Sequence, residues 1–344
     1  MSNETMIPDA ASVVGRVINS LGEPLDGKGA ITGGSQSLIS LDEARKGQGE
    51  LRLWETGIKV VDLLAPLALG GTFTISGKRG TGEMVAVEEL MQTLVSRHKG
   101  YVIGLSMDES GYDTSYLMET LKEFQETHET YREKFTLIFE PLTASAESVQ
   151  RMIQVALTLA QQLRMAGQEV MLIADDQTVN RFTSVDLEAL KRFTMAQELI
   201  TLLIRSGVEV KDSGKLDGQI MTNHELAHQY LWPAIDRVLS TSNLLESTLV
   251  SEEHKQVAKE LRMLLSKPAG SSKEQEKIQR LQHFLTQPFF VAELYTGQPG
   301  EYIPVDVTIA QVKALLDGQY ANIPPEAFTM VGTIEQAVAK AASK

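Results

Sequence analysis

The chain has 344 residues, of which 42% are hydrophobic and 22% charged, and its 32 Lys and Arg against 45 Asp and Glu give a formal net charge of -13. This composition is typical of a globular protein and excludes a disordered chain, while the acidic balance disfavours binding to nucleic acid or to an anionic membrane. Zero cysteines exclude disulfides, thiol catalysis and iron–sulfur ligation. The sequence shows neither a leader nor an apolar run of membrane-spanning length, so we expect a cytoplasmic protein without membrane insertion.

The first fifty residues carry little periodicity. Residues 1–11 are polar and predict a frayed tail, and residues 13–18 predict a short strand. Residues 27–50 are rich in Gly and Ser and predict a surface linker. We therefore interpret residues 1–50 as a short tail, strand and linker.

Short apolar strands then alternate with helices. Strands are predicted at 72–75, 101–105, 135–139 and 170–174, and helices at 114–130 and 148–165. A further helix is predicted from its apolar positions Met84, Val87, Met91, Leu94 and Val95. This alternation predicts an α/β domain over residues 51–247, with a mostly parallel sheet covered by helices. Residues 248–344 predict a helical C-terminal domain, broken at 268–272 and 297–304.

A glycine-bearing loop lies between the strand at 72–75 and the helix after it. Its residues have the frame of a phosphate-binding loop: Gly77, Lys78, Arg79, Gly80, Thr81 and Gly82. Glu83 stands where such a loop has its Lys, and Met84 where it has the Ser or Thr that binds magnesium. Glu83 would repel phosphate, and a thioether is a poor ligand for a hard cation. An ordinary strand–turn–helix is the alternative interpretation.

Residues 224–228 (HELAH) fit the bare pattern of a zinc site. His224 and His228 lie on one face of a plausible helix, but the sequence offers no obvious third ligand. We favour a chance occurrence and expect no zinc.

Several longer strings resemble the β subunit of the rotary ATP synthase. They are residues 15–24 (GRVINSLGEP), 54–66 (WETGIKVVDLLAP), 233–236 (PAID), 240–242 (STS), 287–300 (QPFFVAELYTGQPG) and 324–337 (PPEAFTMVGTIEQA). The resemblance runs from about residue 13 to the end. It implies a RecA-like P-loop NTPase domain followed by a helical domain, in a subunit that alternates with a homologous α subunit around a ring.

The resemblance also defines what this chain lacks. The family's N-terminal β-barrel should precede the first motif, where only about a dozen residues stand, and the hairpin that meets the central shaft is reduced to residues 266–272. The family's catalytic Glu corresponds to Ser106 or Met107, depending on a one-residue gap, so this carboxylate is absent unless Asp108 or Glu109 is displaced into its role. The family's Arg after Ser-Thr-Ser corresponds to Asn243. The chain thus resembles a truncated and degenerate member.

Some family positions keep suitable residues. Trp232, Phe289 and Tyr295 occupy the places of the adenine-binding aromatics, and Asp175 or Asp176 that of the magnesium-side carboxylate.

Together these features predict a non-catalytic pseudo-ATPase subunit with a structural or regulatory role in an oligomer. We expect weak binding of ATP or ADP, with magnesium left open. The expected partner is an α-like subunit or a second copy of the chain, and any membrane association would be peripheral, through a larger complex. The alternative is a working ATPase subunit with altered active-site residues.

Overall fold

The computed structural model describes residues 6–46, 48–78, 80–111, 117–119, 133–206 and 216–343. The chain divides into two compact units. Unit 1 comprises Met1–Arg52, Leu69–Thr74 and Leu90–Arg205, and unit 2 comprises Leu53–Ala68, Ile75–Glu89 and Ser206–Lys344. Each unit is therefore assembled from segments that are separated along the chain.

The secondary structure is as follows. The strands are β1 (Met6–Pro8), β2 (Val17–Ile18), β3 (Ser35–Ser37), β4 (Arg52–Trp54), β5 (Leu67–Leu69), β6 (Gly71–Gly77), β7 (Tyr101–Asp108), β8 (Phe135–Pro141), β9 (Val170–Ala174), β10 (Ile200–Ser206), β11 (Gly218–Met221) and β12 (Thr241–Ser242). The α-helices are Ala10–Val13, Leu41–Ala44, Lys59–Leu64, Glu83–His98, Ala146–Met165, Asp176–Val179, Ser184–Ala196, His224–His228, Glu252–Leu265, Ser272–Phe284, Glu293–Thr296, Val305–Leu316 and Ile334–Ala342.

Unit 1 is built on a mostly parallel sheet, as predicted. Its strand order is β6-β10-β9-β7-β8-β2. From β10 to β2, each strand is parallel to the next one in this order. All five residues of β9 are buried, which explains its unbroken apolar sequence. The helix Ala146–Met165 packs on β7, β8 and β9.

That helix follows from local sequence. Ser145 caps it by accepting a hydrogen bond from the N–H of Ser148. Val149, Met152 and Ile153 recur at helical spacing on the buried face. A polar cap followed by an apolar stripe therefore fixes both where the helix begins and which face it buries.

The N-terminal segment differs from the prediction. The described part of the tail is ordered: β1 pairs antiparallel with β3 of the predicted linker. Asp9 accepts hydrogen bonds from the N–H groups of Ser12 and Gly34, both at 2.9 Å, and so starts a helical turn at Ala10. Within the predicted strand 13–18, only Val17–Ile18 forms a strand. The prediction of a frayed tail is wrong for residues 6–11, because Asp9 joins this segment to Gly34 of the surface linker.

Unit 2 contains the C-terminal helices predicted after residue 248. The helices Glu252–Leu265 and Ser272–Phe284 pack on Val305–Leu316, which in turn contacts the helix Lys59–Leu64. The second half of β6 neighbours β11, which pairs antiparallel with β12. The predicted helix breaks are confirmed, the first at residues 266–271 and the second at 297–304.

The remaining predicted elements have mixed outcomes. The strands at 72–75, 101–105, 135–139 and 170–174 are confirmed, the first three being longer than predicted. Most of the helix predicted at 114–130 lies outside the described residues. In the described part of the chain, no helix is both long and apolar enough to cross a membrane.

Candidate functional site

The glycine loop has the strand–loop–helix setting that a phosphate-binding loop requires. β6 ends at Gly77 and the next helix begins at Glu83. Gly80 and Gly82 have φ angles of 82° and 83°, in the left-handed region that favours glycine. Lys78 is exposed, and Arg79, the other predicted cation of the loop, lies outside the described residues.

A pair of threonine hydroxyls fills the base of the loop. The Oγ1 atom of the buried Thr81 donates to the carbonyl oxygen of Lys78 at 2.6 Å and lies 2.5 Å from Oγ1 of Thr222. The N–H of Thr222 donates to the carbonyl of Ser76 at 2.8 Å. A Cβ atom added to Gly77 would lie 1.6 Å from Oγ1 of Thr222. Gly77 is therefore required by the neighbouring strand end, independently of any phosphate.

Glu83 is the first residue of the helix and is only 5% exposed. Its Oε2 atom lies 3.3 Å from Oγ1 of Thr81. A carboxylate in the first turn interacts favourably with the partial positive charge of a helix N-terminus. The protein thus places its own anion at the helix end where a phosphate-binding loop holds a ligand's phosphate. Met84 beside it is buried.

Trp232 lies against the end of the loop. A Cβ atom on Gly82 would lie 2.7 Å from Cζ3 of the indole, so the ring packs on the glycine itself. The two other predicted adenine-binding aromatics have different surroundings. Phe289 is buried in the core, whereas Tyr295 is 71% exposed. Of the three, only Trp232 is placed at the loop by these contacts.

Glu89 joins the loop helix to the segment that carries Phe289 and Tyr295. Its two carboxylate oxygens accept the N–H groups of Phe290 and Val291, both at 3.1 Å. Burial raises the pKa of Glu89 to about 7, with the two hydrogen bonds opposing that shift. The sequence analysis missed this residue, because a single Glu on a helix carries no signal of burial.

Asp175 and Ser106 lie together in unit 1. Ser106 Oγ donates to Asp175 Oδ2 at 2.5 Å, and Asp175 Oδ1 accepts the N–H of Thr178 at 2.9 Å, capping the helix Asp176–Val179. Burial raises the pKa of Asp175, and these hydrogen bonds oppose the shift. Asp176 is half-buried. Asp175 thus has a structural role at the end of β9, and its role towards magnesium stays a prediction.

Asn243 forms hydrogen bonds with the neighbouring backbone. Its N–H donates to the carbonyl of Asp217 at 2.8 Å and its side-chain amide to that of Leu216 at 2.9 Å. It begins the short 3-10 helix Asn243–Glu246. These contacts give the residue a local structural function.

The two histidines of residues 224–228 converge. They lie on a helix capped by Asn223, and their Nε2 atoms are 2.8 Å apart. Among the described residues, no group of three or more His, Cys, Asp or Glu side chains is arranged to hold a metal ion. The pair therefore lacks the third protein ligand of a catalytic zinc site.

A mostly parallel sheet with helices, and a glycine loop between a strand and a helix, are consistent with an α/β nucleotide-binding domain. Within the chain, residues 57–192 match the model of the ATP synthase alpha/beta family, nucleotide-binding domain. The matched segment contains the glycine loop, Ser106 and Asp175, and ends before Trp232. The match supports the alpha/beta family for this part of the chain.

Proposed function

We propose that this protein is an ATP synthase β-type subunit that has lost catalysis and keeps a structural or regulatory role in an oligomer. The family match over residues 57–192 supports an ATP synthase-type subunit. The single observation that carries the non-catalytic role is the buried Glu83 at the start of the loop helix. RecA-like character and β-type identity are parts of the same proposal.

Electrostatics supports the loss of triphosphate binding. Unit charges about 4 Å apart interact by roughly 4 kcal/mol at an effective dielectric constant near 20. The carboxylate of Glu83 turns that attraction into repulsion at the position where a phosphate-binding loop has its lysine. Lys78 is exposed, so its charge is screened by water and offsets little of this repulsion.

The missing chemistry supports the loss of hydrolysis. Met84 offers no hydroxyl to magnesium, and Ser106 donates to Asp175 instead of orienting a water molecule. Removing one transition-state interaction typically costs a factor of about a hundred or more in rate, and several losses compound.

Nucleotide binding in this proposal rests on Trp232. The indole of Trp232 against Gly82 offers an apolar surface to a base, while Glu83 opposes the outer phosphates. Adenosine and ADP should then bind at least as well as magnesium-ATP. An α-like subunit is the proposed partner, with self-association as the second possibility, and the proposed location is cytoplasmic or peripheral to a membrane.

A calorimetric titration of the full chain with adenosine, ADP and magnesium-ATP tests the proposal. The double variant E83K/M84T should gain preference for the triphosphate without gaining hydrolysis. E260K, which places the same charge change on an exposed part of the helix Glu252–Leu265, should bind like the unmodified protein. Tight magnesium-ATP binding with turnover by the unmodified protein would support the alternative, a working ATPase subunit.

A further inference from the structure

Arg237 in unit 2 is a buried cation with an incompletely satisfied guanidinium. It is 3% exposed, and its Nη1 atom donates to the carbonyl of Ile235 at 2.7 Å. In the described part of the chain, its Nε and Nη2 atoms have no hydrogen-bond partner. Burial lowers its pKa to about 10, so the group is still charged at neutral pH. A buried charge without a hydrogen-bonded anion is costly, and this arrangement therefore indicates a position for an anion.

The two unpaired nitrogens form one complete edge of the guanidinium. Their N–H bonds are parallel and match the two oxygens of a carboxylate. The same chain shows this edge occupied elsewhere. Nε and Nη2 of Arg16 lie 2.7 Å and 3.0 Å from the two carboxylate oxygens of Asp26. Arg237 presents the same edge without the carboxylate.

The neighbouring carboxylate is already committed to other donors. Asp236 Oδ2 accepts from the amide of Asn223 at 2.7 Å. Its Oδ1 accepts the N–H groups of Val238 and Leu239, at 2.8 Å and 2.7 Å. Asp236 therefore offsets the charge of Arg237 over distance without occupying the open edge.

Arg237 lines a groove of about 460 Å³ that lies wholly within unit 2. Two carboxylates, Glu225 and Asp236, line it beside Arg237. Five amide side chains also line it: Asn223, Gln229, Gln275, Gln279 and Gln282. Amides donate and accept hydrogen bonds, and this volume accommodates a small organic molecule. His283 also lines the groove, and burial lowers its pKa, so at neutral pH it adds no second positive charge. Arg237 is thus the positively charged residue of this lining, and of the two carboxylates Asp236 is already hydrogen-bonded to Asn223, Val238 and Leu239.

We propose that this groove binds the carboxylate of a small organic acid, held by the Nε and Nη2 atoms of Arg237, with the amides contacting the rest of the molecule. Both nitrogens are closed to solvent in this conformation. Binding therefore requires lining side chains to move, and of these Gln229 and Gln275 are exposed. The site does not depend on the glycine loop or on the nucleotide proposal.

Calorimetric titration of the full chain with succinate tests the site, with succinamide as the matched uncharged probe and inorganic phosphate as a competing anion. Succinate should bind the unmodified protein and K259Q, which loses an exposed positive charge outside the groove, equally well. R237K keeps the positive charge but loses the paired Nε and Nη2 donors, and R237Q loses both the charge and the paired donors. Affinity should fall by about tenfold or more in each, since hydrogen bonds to charged groups are strong.

Thermal unfolding separates binding from folding. R237Q should unfold at a temperature no lower than that of the unmodified protein, because it removes an unpaired buried charge. If R237Q fails to fold, R237K decides the question. The proposal is overturned if the unmodified protein does not bind succinate, or if the folded Arg237 variants bind it undiminished. It is also overturned if succinamide binds as tightly as succinate, or if phosphate binds more tightly.

Discussion

The ammonium nitrogen of Lys59 lies 4.1 Å from the centre of the Phe284 ring and donates a hydrogen bond to the carbonyl oxygen of the same residue at 2.6 Å. It donates a second hydrogen bond, also 2.6 Å long, to the carbonyl of Val331. Burial lowers the pKa of Lys59 to about 7, although the charge of Glu301 opposes the shift. The amine therefore links three segments of unit 2, and the free-energy cost of burying it depends on pH.

The first prediction is that the stabilising effect of Lys59 grows with pH. The pKa is about 10.4 in the unfolded chain and about 7 in the folded protein, so the unfolded state binds more protons between these values. Relative to K59M, the unmodified protein should gain up to about 3 kcal/mol between about pH 7 and about pH 9. Urea denaturation at both pH values measures this. K259M, on an exposed lysine, should show no such trend, and parallel curves for the unmodified protein and K59M would contradict the burial argument.

Glu89 should show the opposite trend at lower pH. Its pKa rises from 4.5 to about 7 on folding, so its contribution to stability is full below about pH 4.5 and is lost as the pH rises to about 7. E89Q, which resembles the protonated acid, should lack this dependence. The difference in unfolding free energy should change by up to about 3 kcal/mol across that window. E260Q, on an exposed glutamate, is the control, and an equal pH slope in E89Q and the unmodified protein would exclude a shifted pKa.

Gly77 and Gly80 should respond differently to alanine. G80A meets open space and costs about 1 kcal/mol of backbone strain, whereas G77A drives its Cβ into Oγ1 of Thr222 and should cost several times more. T222A removes that oxygen, so the double variant G77A/T222A should recover part of the loss. Thermal unfolding of the five proteins completes the cycle. Strict additivity of G77A and T222A would show that the two residues do not interact.

ATP hydrolysis by the purified chain should not exceed that of a buffer blank. The reason is the combined loss of lysine, hydroxyl and carboxylate functions at Glu83, Met84 and Ser106. A coupled phosphate-release assay measures it, with D175N distinguishing true turnover from a contaminant. Activity that copurifies with the protein and disappears in D175N would contradict the non-catalytic proposal.

Association is the last prediction. Subunits of this family type bury large faces against their neighbours, so we expect the protein to associate with an α-like partner or with itself. We expect the segment at residues 266–272 to give no grip on a rotating shaft. Sedimentation alone and with proteins from its native extract measures assembly. A strict monomer that recovers no partner would remove support for a subunit role.

The sequence predicted those features that depend on local patterns. The apolar run of β9 and the glycines before Glu83 were sufficient to locate a strand and a strand–loop–helix. The pairing of β1 with β3 was missed, since it depends on Asp9 reaching Gly34 across 25 residues. Such contacts between distant positions leave no periodic signal in a single sequence.

The candidate site shows the same division. The exchanges at Glu83 and Met84 are visible in the sequence, but the burial of Glu83 beside Thr81 is not. Arg237 is an unremarkable arginine until its surroundings are known, because only three-dimensional packing shows that one edge of its guanidinium is unpaired. Conversely, Tyr295 looked like part of an aromatic pocket and lies mainly in solvent.

The placement of Lys59 also constrains how the protein is made. All six residues of the helix Lys59–Leu64 are buried, yet the carbonyl groups that Lys59 contacts belong to residues made more than 220 positions later. At about 5–20 residues per second, a ribosome needs on the order of tens of seconds to supply them. During that interval the helix Lys59–Leu64 lacks the C-terminal segments that bury it in the folded protein. We therefore expect nascent chains to depend on holding chaperones until those segments have been synthesised.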